Sequence, residues 1–401
     1  MTKRRKNSDP DRPRGTSSRL IHGRRLAPLR TRPVATPIYQ TSNFAFESTE
    51  ELRRYHAGEP GVYLYTRIGN PTLDSAASRL AEAEGADTAV LTASGLGAIS
   101  CTCLGLLSHG DRVLSIENLY GGTFKLFQRY LPRFGIGVDL FPVERPEEAE
   151  KRIRPETRML YLESPTNPTL AIADLEAYAD IARRHALISV IDGTFASPVN
   201  QQPLSLGIDI VLHSATKYLG GHSDLIAGVV AGSGEPLQRI RHACSALGIN
   251  TEPQTAFLLE RGLKTLVVRV ERQNQSALQI ARYLEAHSGV RRALYPGLES
   301  HPQHALARRQ MRGFGGVVTF EIEGGLEAAV RLIDRLRLFA NAASLGGVES
   351  LASSPLLTSQ RGWPKEILGR AGVLPGMVRL SVGLEDVEDL IGDLDQALAG
   401  G

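Results

Sequence analysis

Leu187-Ile188-Ser189-Val190-Ile191-Asp192 and Ile208-Asp209-Ile210-Val211-Leu212-His213-Ser214-Ala215-Thr216-Lys217 are the two stretches on which the fold reading turns. Each begins as a short apolar run rich in β-branched residues, of strand length rather than helix length, and each ends abruptly in polar residues. Similar runs lie upstream at Thr88-Ala89-Val90-Leu91, Arg112-Val113-Leu114-Ser115-Ile116 and Met159-Leu160-Tyr161-Leu162. Between them come stretches such as Leu175 to His185, where apolar residues recur at three- and four-residue spacing. This alternation predicts an α/β fold, with a mostly parallel sheet covered by helices.

Outward from that centre the character of the chain changes twice. After Arg261-Gly262-Leu263-Lys264 a long helical pattern runs to about His287. Beyond it lies a smaller α+β unit, with strands expected at Val317 to Ile322 and Met377 to Val382 and helices near 326–338 and 386–399. Upstream, residues 1 to about 66 are rich in Arg, Pro and Ser with little periodicity, which predicts an extended arm. The expected division is an arm over 1–66 that wraps a neighbouring subunit, a large domain over 67–262 and a C-terminal domain over 263–401.

Bulk properties narrow the function classes. A chain of 401 residues with 42% hydrophobic and 22% charged residues is long enough for one large and one smaller core. Its net charge of +3 is concentrated at the start, around Lys3, Arg4, Arg5 and Lys6. That tract lacks the interleaved aromatics of a nucleic-acid surface, so a solvated or partner-wrapping arm is expected, with no nucleic-acid partner. Cys101, Cys103 and Cys244 supply too few ligands for a metal site and are expected in the core. No apolar run approaches the roughly 20 residues of a membrane span, and the basic start lacks the apolar region of a secretory signal, so no membrane partner and a cytoplasmic location are expected.

In a parallel α/β sheet, ligands collect at the carboxyl ends of the strands. After Val90-Leu91 comes Thr92-Ala93-Ser94-Gly95-Leu96-Gly97-Ala98-Ile99, a small-residue turn opening a helix; it suits either a phosphate or a close packing contact. Asp192 and Lys217 stand at neighbouring strand ends, where they could form a buried salt bridge or divide a catalytic task. Ser214 and Thr216 add hydroxyls beside the lysine. Together these groups are what a pyridoxal phosphate needs: a lysine to form an imine with its aldehyde, a carboxylate to keep its pyridine nitrogen protonated, and donors for its phosphate.

Six ordered segments extend the pattern: Tyr65-Thr66-Arg67-Ile68-Gly69-Asn70-Pro71-Thr72, Leu119-Tyr120-Gly121-Gly122-Thr123, Glu163-Ser164-Pro165-Thr166-Asn167-Pro168, Ser214-Ala215-Thr216-Lys217-Tyr218-Leu219-Gly220-Gly221-His222, Ser344-Leu345-Gly346-Gly347 and Arg379-Leu380-Ser381-Val382-Gly383-Leu384-Glu385. The chain resembles, from about Pro37 to Glu385, the Cys/Met-metabolism (trans-sulfuration) family. That family includes cystathionine γ-synthase, cystathionine γ-lyase, methionine γ-lyase and the O-acylhomoserine sulfhydrylases.

The resemblance implies the aminotransferase-like fold (fold type I) of pyridoxal-phosphate enzymes, and a homotetramer made of two catalytic dimers. It implies that Lys217 holds the cofactor and moves protons, that Asp192 pairs with the pyridine nitrogen, and that Tyr120 stacks on the ring and acts as acid or base toward the leaving group. Phosphate contacts are implied for Ser94, Gly95, Leu96, Ser214 and Thr216, with Tyr65 and Arg67 donated by a neighbouring subunit. Arg379 is implied as the anchor of the substrate α-carboxylate, assisted by Asn167 and Ser344. Each has a plainer alternative: Tyr120 as an ordinary buried tyrosine, Arg379 as a strand-surface cation, Asn167 as a turn former, and Glu163 as a carboxylate that ties down its loop.

The implied reaction is γ-elimination or γ-replacement on a sulfur-containing amino acid or an activated homoserine. Relatives that handle a charged tail often carry an acid just before the Tyr-x-Arg tyrosine and another before the Ser-Leu-Gly serine. Here Leu64 and Ala343 stand in those places, which favours an uncharged tail such as that of methionine, homocysteine or an O-acylhomoserine. Gly122 replaces the cysteine common in methionine γ-lyases, no Lys-Asp pair is found around Arg241-His242, and Leu351-Ala352-Ser353-Ser354-Pro355 lacks the usual His-Pro. Gly346-Gly347-Val348-Glu349-Ser350 is closer to the cystathionine γ-synthase and γ-lyase branch. The competing expectations are an O-acylhomoserine sulfhydrylase and, from another class, a catalytically silent binding protein. The intact set Lys217, Asp192, Tyr120 and Arg379 opposes the latter.

Overall fold

Leu114, Ile116, Leu160, Leu162, Ile191 and Leu212 are all fully buried, and each contributes roughly 1.5–3 kcal/mol by leaving water. They lie on a sheet covered on both faces, which is why its strands read as continuous apolar runs rather than alternating ones. In the computed structural model, which describes residues 31 and 33–399, seven strands form this sheet. They are β1 (Thr88–Thr92), β2 (Arg112–Ile116), β3 (Gly137–Phe141), β4 (Thr157–Glu163), β5 (Ile188–Asp192), β6 (Ile210–Ser214) and β7 (Gly228–Gly232). Their order is β1-β7-β6-β5-β4-β2-β3. Only β7 runs against its neighbours, so the carboxyl ends of β1, β2, β4, β5 and β6 share one edge.

A second sheet has the order β10-β11-β12-β9-β8. Its strands are β8 (Val290–Leu294), β9 (Val317–Ile322), β10 (Ala340–Asn341), β11 (Leu351–Ser353) and β12 (Met377–Ser381). Apart from the short parallel pair β10 and β11, it is antiparallel. Helix Leu266–Ala286 presents Leu266, Val270, Ala277, Ile280 and Leu284 on one buried stripe, the three- and four-residue spacing expected of it. The upper part of that stripe packs with Val318, Phe320, Val378 and Leu380 in the core of the small sheet.

The strands expected from the apolar runs are all present, within about two residues at their ends. Five others are not evident from periodicity: β3, β7, β8, β10 and β11. The N-terminal stretch read as extended contains helix Thr49–His56, capped by Ser48, with acidic residues in its first turn and basic ones in its last. None of its residues is buried, so the apolar periodicity that would signal it is missing. The chain divides at Pro37; before it only residues 31 and 33–37 are described, without regular secondary structure, and Lys3 to Lys6 lie outside the described residues. All three cysteines are free and buried, and no described helix is long and apolar enough to cross a membrane.

Candidate active site

A cavity of about 600 Å³ opens at the shared carboxyl edge of the large sheet. It is lined by Ser94, Gly95, Leu96, Tyr120, Asn167, Asp192, Ser214, Thr216, Lys217, Ala343, Ser344 and Arg379. Twelve of the fifteen residues singled out from the sequence therefore meet in one place. The other three, Leu64, Tyr65 and Arg67, line a separate groove with Phe44 and Ile68. There Arg67 donates to the Ser245 carbonyl at 3.0 Å and its guanidinium lies 5.5 Å from the Tyr65 ring. Tyr65 and Arg67 are the two positions implied as donations to a neighbouring subunit, and Leu64 is the apolar position just before them.

Lys217 follows β6 by three residues, and its Nζ donates to Ser344 Oγ at 2.7 Å. No ion pair joins it to Asp192 among the described residues, so the simple salt bridge is not what the two residues form. Burial, helped by the positive charge of Arg379, lowers the amine from the ordinary lysine value of 10.5 to about 8. Such an amine is neutral, and so nucleophilic, far more often near neutral pH than an ordinary lysine. Asp192 ends β5 and accepts from the Thr194 amide at 3.0 Å. Its burial pushes the carboxyl up, while the Thr194 contacts and nearby His213 oppose that shift.

Arg379 sits within β12, between Thr319 of β9 and Ser353 of β11, and is only 5% exposed. It is no strand-surface cation. Nη1 donates to Asn167 Oδ1 and Nη2 to the Ser344 carbonyl, both at 3.0 Å, while Nε has no partner within the protein. Burial lowers its pKa to about 10, and it remains charged at neutral pH. Ser344 thus touches both cations, one through its hydroxyl and one through its carbonyl. It does so at φ 127°, a backbone region that residues with a Cβ rarely occupy and that costs of order 1–3 kcal/mol. Asn167 does more than form a turn, although its carbonyl also accepts from Gln360 Nε2 at 3.0 Å.

Tyr120 is 46% exposed inside the cavity, so it is not an ordinary core tyrosine. Its backbone amide donates to both Glu163 oxygens at 2.9 and 2.8 Å. Glu163 thus holds the loop of Tyr120, where its plainer alternative expected it to tie down its own, and its carboxyl is raised by burial and then by Asp192. Gly122 lies beneath the Tyr120 ring: a Cβ there would stand 2.5 Å from a ring carbon, so any side chain at 122 displaces the tyrosine.

At the far end of the cavity, helix Gly95–Leu106 starts from Ser94, whose hydroxyl caps the Gly97 amide at 3.0 Å. The Gly95 and Leu96 amides belong to the first turn, where no helical acceptor exists. Gly95 also packs against Ser214, where an added Cβ would come within 2.7 Å, so the turn makes the close packing contact anticipated for it. Thr216 Oγ1 already exchanges hydrogen bonds with the Ala227 backbone at 3.1 and 3.2 Å. A poised amine, a buried carboxylate, free first-turn amides and an orphaned guanidinium nitrogen form a donor set that fits a pyridoxal phosphate carrying an amino-acid substrate.

Thr194, Leu357, Thr358, Ser359 and Ile226 also line the cavity and escaped the sequence reading. Thr194 was within reach, since it follows Asp192 by two residues and its hydroxyl accepts from the Ser214 amide at 2.8 Å. Leu357 to Ser359 lie in a segment without periodicity.

Residues 17–399 match the family model described as Cys/Met metabolism PLP-dependent enzyme. The chain is 43% identical to an L-methionine γ-lyase of Fusobacterium nucleatum subsp. polymorphum, covering 91% of this chain and 93% of that protein. It is 39% identical to a cystathionine β-lyase of Lactococcus lactis subsp. cremoris, covering 95% and 98%. The crystal structure of cystathionine γ-lyase from Lactobacillus plantarum complexed with L-serine is similar with a TM-score of 0.85 at 38% identity, over 90% of this chain and 93% of that one. With its fold and nearly its whole length in agreement, the chain belongs to the Cys/Met metabolism PLP-dependent enzymes.

Proposed function

We propose that the protein carries out γ-elimination or γ-replacement on an amino acid with an uncharged tail, with L-methionine as the first candidate substrate. The supporting observation is the charge inventory of the cavity. Among its described lining residues the carboxylates are Glu163 and Asp192, and both are engaged, with Tyr120 and Thr194 respectively. The two cations, Lys217 and Arg379, suit an α-carboxylate, while Ala343, Leu357 and Ile226 give the remaining wall an apolar character. A distal ammonium would stand there without a partner, at a cost of about 1–3 kcal/mol.

When bound, pyridoxal phosphate supplies the electron sink that stabilises negative charge at the substrate Cα. Lys217 would anchor it and serve as the base that takes and returns protons along the substrate chain. Asp192 would face the pyridine nitrogen. Ser94, Gly95, Leu96, Ser214 and Thr216 would hold the phosphate. Arg379, with Asn167 and Ser344 fixing its fork, would orient the α-carboxylate, and the Tyr120 phenol would stack on the ring and assist the leaving group.

Leu64, Tyr65 and Arg67 would complete the cavity of a second copy, in a homotetramer of two catalytic dimers. An active monomer in sedimentation at assay concentration would contradict that assembly. For the reaction, L-methionine, L-homocysteine, L-cystathionine, L-cysteine and an O-acylhomoserine are to be compared with and without a thiol. Release of a 2-oxo acid from methionine at the highest kcat/KM is expected, and a new thioether would reveal replacement. Cystathionine as the best substrate by a wide margin would overturn the uncharged-tail reading.

A further inference from the structure

Glu84 and His213 take no part in the chemistry above, yet they meet deep inside the large domain. Glu84 closes helix Pro71–Glu84, His213 is the penultimate residue of β6, and each is 2% exposed. His213 Nε2 lies 2.5 Å from Glu84 Oε1 across 129 positions of sequence. Two ionisable groups at that depth are costly unless each is well satisfied; Glu84 Oε2 has no hydrogen-bond partner in the protein, and the far side of the His213 ring meets only the Gly193 backbone, which also favours its protonated form.

What the pair touches suggests its use. β5 and β6 are neighbours, with Asp192 opposite Leu212, the residue before His213. The imidazole lies against Gly193: a Cβ at that glycine would stand 2.9 Å from Cε1 and 3.5 Å from Nδ1. The Gly193 amide donates to the Leu212 carbonyl, and Thr194 joins the Asp192 carboxylate to the Ser214 amide. His213 is therefore built into the same turn that presents Asp192. On the other side of Asp192, Glu163 and Tyr161 of β4 bring no positive charge, and Glu163 repels it. Burial alone would lower the imidazole pKa, but Glu84 first and Asp192 next outweigh it, and the net shift is upward.

We propose that Glu84 and His213 are positioning residues for Asp192: an imidazolium clamped by Glu84 stands behind the carboxylate and keeps it ionised and oriented toward the pyridine nitrogen. This rests on the reading of Asp192 given above. Losing the clamp would let the Asp192 carboxyl rise. A rise of one pKa unit corresponds to about a tenfold change between protonation states.

The first test needs no cofactor. In cofactor-free native protein with ¹⁵N-labelled histidine, His213 is expected to be protonated on both nitrogens at pH 7; a neutral ring would overturn the proposal. The second uses the holoenzyme. Glu84→Gln should move the visible absorption and circular dichroism of the bound cofactor in the same direction as Asp192→Asn, by less. It should also lower kcat roughly tenfold while KM stays within about twofold, and Glu84→Asp should restore part of the loss. A native spectrum and native kcat in Glu84→Gln would overturn the clamp alone if Asp192→Asn shifts the band. An unshifted Asp192→Asn would instead sink the reading of Asp192 and the clamp with it. If Glu84→Gln does not fold, the labelled native protein still decides.

Discussion

The two sheets meet at one cavity but supply it in different ways. The large sheet delivers Asp192, Ser214 and the approach to Lys217 from the carboxyl ends of adjacent strands, where backbone direction alone brings them together. The small sheet delivers Arg379 from the middle of an antiparallel strand, held by Asn167, which follows β4 of the large sheet, and by Ser344 at a strained φ. The first arrangement follows from topology; the second depends on particular side-chain contacts. Under the proposed function, the large sheet would retain the cofactor and the small one would recognise the amino-acid carboxylate, with Ser344 as the hydrogen-bonded link.

The largest expected effect comes from breaking the large-sheet half. Lys217→Ala should lower turnover on the order of 10³-fold or more and leave any bound pyridoxal phosphate removable by dialysis. Native turnover would remove Lys217 from the centre of the comparison. The small-sheet half should break differently. Arg379→Lys keeps a charge but loses the fork, so kcat/KM should fall roughly 10- to 100-fold, chiefly through KM, while cofactor content and colour are unchanged. Loss of colour in that variant would show that the halves are not separable.

A finer test places a charge at the small-sheet wall. Ala343→Glu should raise kcat/KM for cystathionine relative to methionine by roughly tenfold, as a partner for the distal ammonium; an unchanged ratio would show that Ala343 does not read the tail. The smallest effect concerns the protonation of Lys217 in cofactor-free protein. Its folded pKa of about 8 lies below the ordinary 10.5, so between those values the unfolded chain binds the extra proton. Stability from this group therefore rises with pH across that window, and below about pH 8 the buried charge carries its full cost. The stability difference between native protein and Lys217→Met should accordingly change across that window, and a flat difference would contradict the lowered pKa.

The same contrast explains what could be read from sequence. Strands β1, β2, β4, β5 and β6 announce themselves as buried apolar runs, and residues following them line one side of the cavity. β7, bounded by Gly228 and Gly232, is as buried as they are and of similar length, but its terminal glycines interrupt the apolar run that marks the others. β3 carries Asp139, bonded to Arg112 at 2.6 Å on the neighbouring strand, which breaks its apolar pattern. In the site, ordered motifs exposed Lys217 and Arg379, and the polar end of an apolar run exposed Asp192, because each of these signals is local. The Glu84–His213 contact and the wall at Leu357 are made by residues distant in the chain, and no periodicity or spacing encodes them.

The central claim is that Lys217 anchors the cofactor at the floor of this cavity. Borohydride reduction of the yellow holoprotein, followed by proteolysis and mass mapping, tests it directly. The account predicts a single pyridoxyl-modified peptide, with the modification on Lys217. Modification at another lysine, such as Lys125 or Lys264, or no covalent adduct at all, would contradict it.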